Sequence, residues 1–134
     1  MTVYVDSSAL LKLYVDEPES GEAARILADD SRWVTGVHTL VEVRRTLLRL
    51  LKGSALRAGR EAFSRHWQQA EVVLLDLATC ELAVDIAEAT GVRALDALHL
   101  GAAQKAGDGS LPFVTFDVRQ ARAARELGWT VLGA

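Results

Sequence analysis

A chain of 134 residues and 14.5 kDa, half of it hydrophobic and a quarter charged, is the size and make-up of one globular domain, which excludes a disordered or low-complexity polypeptide. Cys80 is its one cysteine, which excludes an internal disulfide framework and a thiolate zinc site and fits a reducing, cytoplasmic address. A net charge of −3 argues against a generic basic nucleic-acid binder, while a strand-like opening, MTVYVD, and apolar runs as short as residues 72–75 give no support for export or membrane insertion.

In chain order, residues 3–5 form a β-branched and aromatic run ending at Asp6, and a helical pattern follows over 7–14. Pro18 and Gly21 bracket the entry to a second helix over 22–28, and residues 33–35 make a short strand before Gly36. From residue 39, Leu40, Val43, Leu47, Leu50 and Leu51 recur at helical spacing, and Gly53 stands where a left-handed cap ends a helix. A helix over 55–69 with Ser54 as its N-cap leads to a compact apolar strand over 72–75. Helices over 80–90 and 95–106 stop at Gly91 and Gly107. Pro112 ends a turn, and a strand over 113–116 closes at Asp117. A last helix over 119–127 and a fifth strand over 129–132 complete the chain. Strands alternating with helices imply parallel pairing through right-handed crossovers, so the class is α/β, with helices on both faces of one sheet and a single domain over 1–134.

Charge is unevenly placed. Residues 44–65 carry seven basic side chains against Glu61 alone, whereas the segments on either side are net acidic. Most such runs are solvated helical faces.

In an open parallel sheet, chemistry collects beyond the carboxyl ends of the strands. Asp6 and Asp117 each follow a strand directly, and Glu42 and Asp96 lie in the first turns of helices that begin at that same edge. Singly, each has an ordinary structural use: Asp6 and Asp117 as turn formers, Asp96 as a helix cap, Glu42 as a solvated glutamate. Jointly, four acids at one edge repel, so they are partly protonated or neutralised by a cation. An all-oxygen, carboxylate-rich set suits magnesium or manganese, whose leading chemistry with such ligands is phosphodiester hydrolysis.

The segments VYVDSSALLKLY, TLVEVRRTL, RALDALHLGAA and FVTFDVRQARAARELG, in this order and across essentially the whole chain, resemble the PIN-domain ribonucleases, specifically the VapC toxins of bacterial toxin–antitoxin pairs. The resemblance implies a PIN-like, Rossmann-like three-layer fold with five parallel strands, and a Mg2+- or Mn2+-dependent endoribonuclease. Its acidic cluster maps onto Asp6, Glu42, Asp96 and Asp117 as catalytic and metal-holding residues, with Asp117 in a subsidiary role. Ser7 and Thr115 match the hydroxyl residues that accompany the first and last acids. A homodimer, an RNA substrate of the transfer or ribosomal class, and inhibition by a cognate VapB-type antitoxin are further implications.

Arg93 matches an arginine of the third segment and is expected to pair with a carboxylate or touch phosphate. His99, three residues after Asp96, is expected to pack or hydrogen-bond at a helix interface rather than act in catalysis. Arg44, Arg45 and Arg49 are expected to guide RNA or to bind the antitoxin, together with Trp67 and exposed leucines. Trp33 and Trp129 belong to the core. A phosphatase of the haloacid-dehalogenase type requires a second aspartate where Ser8 stands, and a receiver domain requires a late lysine that residues 110–134 lack. The remaining alternative is a PIN scaffold that binds a partner or nucleic acid without turnover, against which the complete acidic set argues.

Overall fold

The computed structural model describes residues 1–28 and 31–134. Strand β1 (Thr2–Val5) runs through the middle of the sheet, and its period-two alternation divides the molecule. Tyr4 enters one core, with Val34, Leu100, Phe113 and Trp129, whereas Val3 and Val5 enter the other, with Leu10, Val43, Leu47 and Phe63. A strand buried on both faces in this way is the signature of a parallel sheet covered on each side.

The remaining elements follow in alternation: α1 (Ser7–Leu11), α2 (Ser20–Ile26), β2 (Arg32–Gly36), α3 (Thr39–Leu50), α4 (Gly53–Gln69), β3 (Glu71–Val73), α5 (Leu77–Thr90), α6 (Ala94–Gly107), β4 (Phe113–Thr115), α7 (Val118–Glu126) and β5 (Val131–Gly133). All four strand pairings are parallel, in the order β3-β2-β1-β4-β5. The first core is closed by side chains of α5, α6 and α7, and the second by α1, α3 and α4. From β1 the chain steps to β2 and β3 on one side, then crosses to β4 and β5 on the other. The carboxyl ends of β1 and β4 therefore form the topological switch point, where clefts open in such sheets. The register Val5↔Val114 sets Asp6 and Asp117 just beyond two adjacent strand ends.

Several boundaries differ from the sequence expectation. Helix α1 ends at Leu11 and the chain continues in turns. Strand β3 covers 71–73 rather than 72–75, because its ladder partner β2 ends at Gly36 opposite Val73, and Leu74 is left exposed. Helix α5 begins at Leu77, not at residue 80: Asp76 caps it by accepting from the backbone N–H and the hydroxyl of Thr79, at 2.9 and 2.7 Å. Gly53 does adopt a positive φ of 58°, but as the first residue of α4 rather than as the cap of α3. Lys52, not Ser54, is the N-cap residue of that helix, and its side chain makes no capping bond.

Helices α5 and α6 meet backbone to backbone. A Cβ on Gly101 would stand 2.9 Å from the Cβ and 3.0 Å from the backbone N of Ala83, so only glycine permits the approach. Among the described residues, no helix is long and apolar enough to cross a membrane.

Candidate active site

A cleft of about 470 Å3 opens at the switch point, and Asp6, Glu42, Asp96 and Asp117 all line it, with Ser7, Ser8, Arg93, His99 and Gln120. Each acid is delivered by a different element. Asp6 is the N-cap of α1: Oδ1 accepts from the Ala9 N–H at 3.0 Å and the Ser8 hydroxyl at 2.7 Å, and Oδ2 accepts from the Thr115 hydroxyl at 2.5 Å. Three donors leave this carboxylate about one lone pair to spare, on Oδ2. Burial pushes its pKa up, against the pull of His99 and of the Thr115 and Ser8 hydroxyls.

Asp117 caps α7, its Oδ1 accepting from the N–H groups of Arg119 and Gln120 at 2.8 and 3.3 Å. Asp96 sits in the first turn of α6. Its Oδ2 is buried and receives no hydrogen bond, the nearest cation being Arg93 Nε at 3.6 Å. Burial, and then the negative charge of Asp117, raise the Asp96 pKa, opposed by Arg93. Asp6 and Asp117, expected singly as turn formers, are helix N-caps, whereas Asp96, expected singly as a cap, lies in the first turn of α6 behind Arg93 as the N-cap residue; all three line the one cleft.

Glu42 behaves in the opposite sense. Burial acts to raise its pKa, but the His99 hydrogen bond and the charges of His99 and His38 outweigh it and hold the group below the usual glutamate value. Its Oε1 accepts from His99 Nε2 at 2.7 Å and from the Ser7 hydroxyl at 3.1 Å. Behind His99 stands Tyr4, whose hydroxyl lies 2.9 Å from Nδ1 and itself accepts from the Gly36 N–H at 3.0 Å. Burial keeps the Tyr4 phenol protonated far above neutral pH, and Nε2 carries the hydrogen donated to the ionised Glu42. His99 is therefore a hydrogen-bonded interface residue, as expected, and it orients a cleft carboxylate.

Carboxylate oxygens are the donors a hard divalent ion takes, although among the described residues it is the ligand atoms of His38, Glu42 and His99, and no three of the four acids, that lie within 4.8 Å of one another. Carboxylates converge from four elements, one buried oxygen on Asp96 lacks a hydrogen bond, and two of the acids are pushed toward protonation by their surroundings.

Three residues of this neighbourhood escaped the sequence. Tyr4 reads as an ordinary strand aromatic. His38 precedes α3 without any motif, yet its ring lies 4.1 Å from that of His99, centroid to centroid. Gln120 is 1% exposed, lines the cleft, and has neither amide atom hydrogen-bonded within the protein. The i,i+4 spacing of His38 and Glu42 was the one available signal among these.

The arginines fall in two places. Arg44, Arg45 and Arg49 are exposed along α3 and are not part of the cleft lining. Arg93 does line it, and also borders an adjoining pocket of about 320 Å3 that holds Arg119, Arg122 and Asp96. Trp67 is half-buried against Phe63, and Trp33 and Trp129 contribute to the two cores. A further cavity of about 400 Å3, near Trp33 and His66 beyond the opposite end of β2, brings in none of the four acids.

A family model described as PIN domain matches residues 3–126. Ribonuclease VapC46 of Mycobacterium tuberculosis is 38% identical over 132 residues, covering 97% of this chain and 95% of that protein. Among solved structures, VapBC2 from Rickettsia felis bound to a promoter DNA fragment superimposes with a TM-score of 0.70 at 13% identity, covering 100% of this chain and 99% of that one. The Mycobacterium tuberculosis toxin VapC20, described as cleaving the sarcin–ricin loop, gives a TM-score of 0.68 at 22% identity, with 90% and 94% covered.

Proposed function

This chain belongs to the PIN-domain family, in its VapC ribonuclease branch, and from that membership we propose that it is a metal-dependent endoribonuclease toxin held in check by a cognate VapB-type antitoxin. The observation that carries the assignment to this cleft is the convergence of Asp6, Glu42, Asp96 and Asp117 from four elements on one switch-point opening. Asp6, Asp96, Glu42 and, in a subsidiary role, Asp117 hold Mg2+ or Mn2+. When bound, such an ion would supply Lewis-acid polarisation of a phosphodiester and a more acidic bound water.

The protein's own groups position and balance this set. Thr115 and Ser8 fix the Asp6 carboxylate, and His99, held by Tyr4, fixes Glu42 with Ser7. The pocket of Arg93, Arg119 and Arg122 takes an RNA backbone phosphate next to the cleft, a contact that supplies affinity without reading sequence. The substrate is a structured transfer or ribosomal RNA presenting an unpaired loop. On α3, Val41 and Leu48 are exposed two turns apart with Arg44 and Arg45 one turn from each, a face suited to an acidic, amphipathic antitoxin segment. The toxin acts as a homodimer in the cytoplasm.

Incubation of the purified chain with structured RNA tests this. Cleavage is expected with magnesium or manganese, is abolished by chelation, and falls about a hundredfold or more in Asp96→Asn with the circular dichroism spectrum unchanged. An Asp96→Asn protein that cuts as fast as wild type overturns the assignment, and RNA binding without cleavage in the wild type favours a module without turnover.

A further inference from the structure

Beside the hard-metal cleft lies a cluster of different chemistry. His38 and Glu42 are four residues apart at the start of α3, and His99 faces them from α6. One ligand atom from each lies within 4.8 Å of the other two. The His38 side chain is only 10% exposed, yet both of its ring nitrogens are buried without a hydrogen-bond partner. Buried ring nitrogens left this way are unusual enough to require a reason. The fold also makes room for that ring: a Cβ on Gly36 would stand 2.5 Å from His38 Cε1, so any other residue there would displace it.

We propose that His38, Glu42 and His99 form a site for a zinc-class divalent ion, and that its occupation withdraws Glu42 from the acidic cleft and silences cleavage; the inhibitory part rests on the ribonuclease function above, the binding part does not. Two imidazoles and one carboxylate with a fourth position open are a zinc ligand set, and imidazole nitrogen selects zinc, nickel or cobalt over magnesium. Tetrahedral bonding at zinc sets neighbouring ligand atoms about 3.3 Å apart. Glu42 Oε1 is 2.7 Å from His99 Nε2 and 3.9 Å from His38 Nε2, distances that bracket this value. Tyr4 supplies the outer support that metal-binding histidines use. On binding, the ring hydrogen of His99 moves from Nε2 to Nδ1 by exchange with water, and the Tyr4 hydroxyl directs its own hydrogen elsewhere so that its oxygen, 2.9 Å away, accepts from Nδ1. Asp6 and Asp96 contribute negative charge from the adjoining cleft.

The test begins with the metal-free chain and no RNA. Zinc chloride is titrated against a colorimetric competitor, and cobalt(II) is added separately to read the visible bands of a tetrahedral site. Wild type is expected to bind one zinc that a large excess of magnesium does not displace. His38→Ala and His38→Gln are expected to weaken zinc binding by about tenfold or more and to lose the cobalt bands. In the cleavage assay each variant is compared with its own zinc-free rate, and the inhibition by zinc seen in wild type is expected to be lost in both. Equal zinc affinity in wild type and both variants, or none in wild type, overturns the site. Zinc binding that depends on His38 in a chain that cuts no RNA leaves the site standing and removes the ribonuclease function.

Discussion

Asp6 and Asp96 differ from Glu42 in the direction in which the fold shifts them, and stability reports the difference. A raised pKa in the native state means that Asp96 contributes stability in full below its unfolded value, and loses it as pH rises through the folded one. At neutral pH without metal, its charge is therefore a liability, and Asp96→Asn is expected to raise the melting temperature by about 2–6 °C. Glu42, lowered by His99 despite burial, contributes stability above its unfolded value and loses it as pH falls through the folded one. Glu42→Gln is expected to lower the melting temperature under the same conditions. Scanning calorimetry with chelator present checks both signs, and a shared sign would show that the acids do not differ as described. His38 is depressed to about 4, chiefly by burial and then by His99, against the pull of Glu42. It stays neutral in the native state while the unfolded chain protonates, so stability falls as pH drops from about 6.5 towards 4. Denaturant unfolding across that range is expected to show a shallower loss in His38→Gln.

Helix α6 carries Asp96 towards the cleft and His99 towards Glu42, so its placement matters more to the site than any single contact. The placement is set by Gly101 against Ala83 of α5. Gly101→Ala forces the two backbones apart and is expected to cost about 1–3 kcal/mol in denaturant unfolding, with cleavage reduced even where the protein remains fully folded. Asp76→Ala is the contrasting change. It removes the cap of α5 on a helix with no residue in the cleft, so the melting temperature drops while cleavage per folded molecule is unchanged. The caps at Asp6 and Asp117 show how helix starts and strand ends coincide at the cleft. An acid that satisfies backbone N–H groups at a helix start also stands at the carboxyl end of the strand before it.

Across the whole molecule, acidic and basic character are partitioned. Acids meet at the switch point, three arginines gather in the adjoining pocket, and another set follows the exposed side of α3. The two arginine groups are expected to separate by experiment. Charge reversal at Arg119 and Arg122 weakens RNA binding and makes the logarithmic salt dependence shallower by about 0.7 per lost phosphate contact, as measured by fluorescence anisotropy. Charge reversal at Arg45 and Arg49 weakens antitoxin binding and leaves that salt dependence alone. Equal effects of both changes on RNA would extend the RNA path along α3.

Periodicity, turn residues and strand-to-helix alternation are local properties, and they made the α/β class, the five strands, the seven helices and the parallel sheet legible before any coordinates. The rule that strand ends carry chemistry singled out Asp6, Glu42, Asp96 and Asp117 from eighteen acidic residues. Element limits such as the end of β3 depended on where a partner strand stops, which no local pattern encodes. The same holds for the neighbours of the acids. Tyr4 and His99 are 95 residues apart and His99 and Glu42 are 57, so only the crossing of β1, α3 and α6 decides that they share hydrogen bonds. The acids were visible because chemistry restricts which residues serve at a strand end, whereas their protonation and their partners arise from burial and distance, which exist only once the chain has folded.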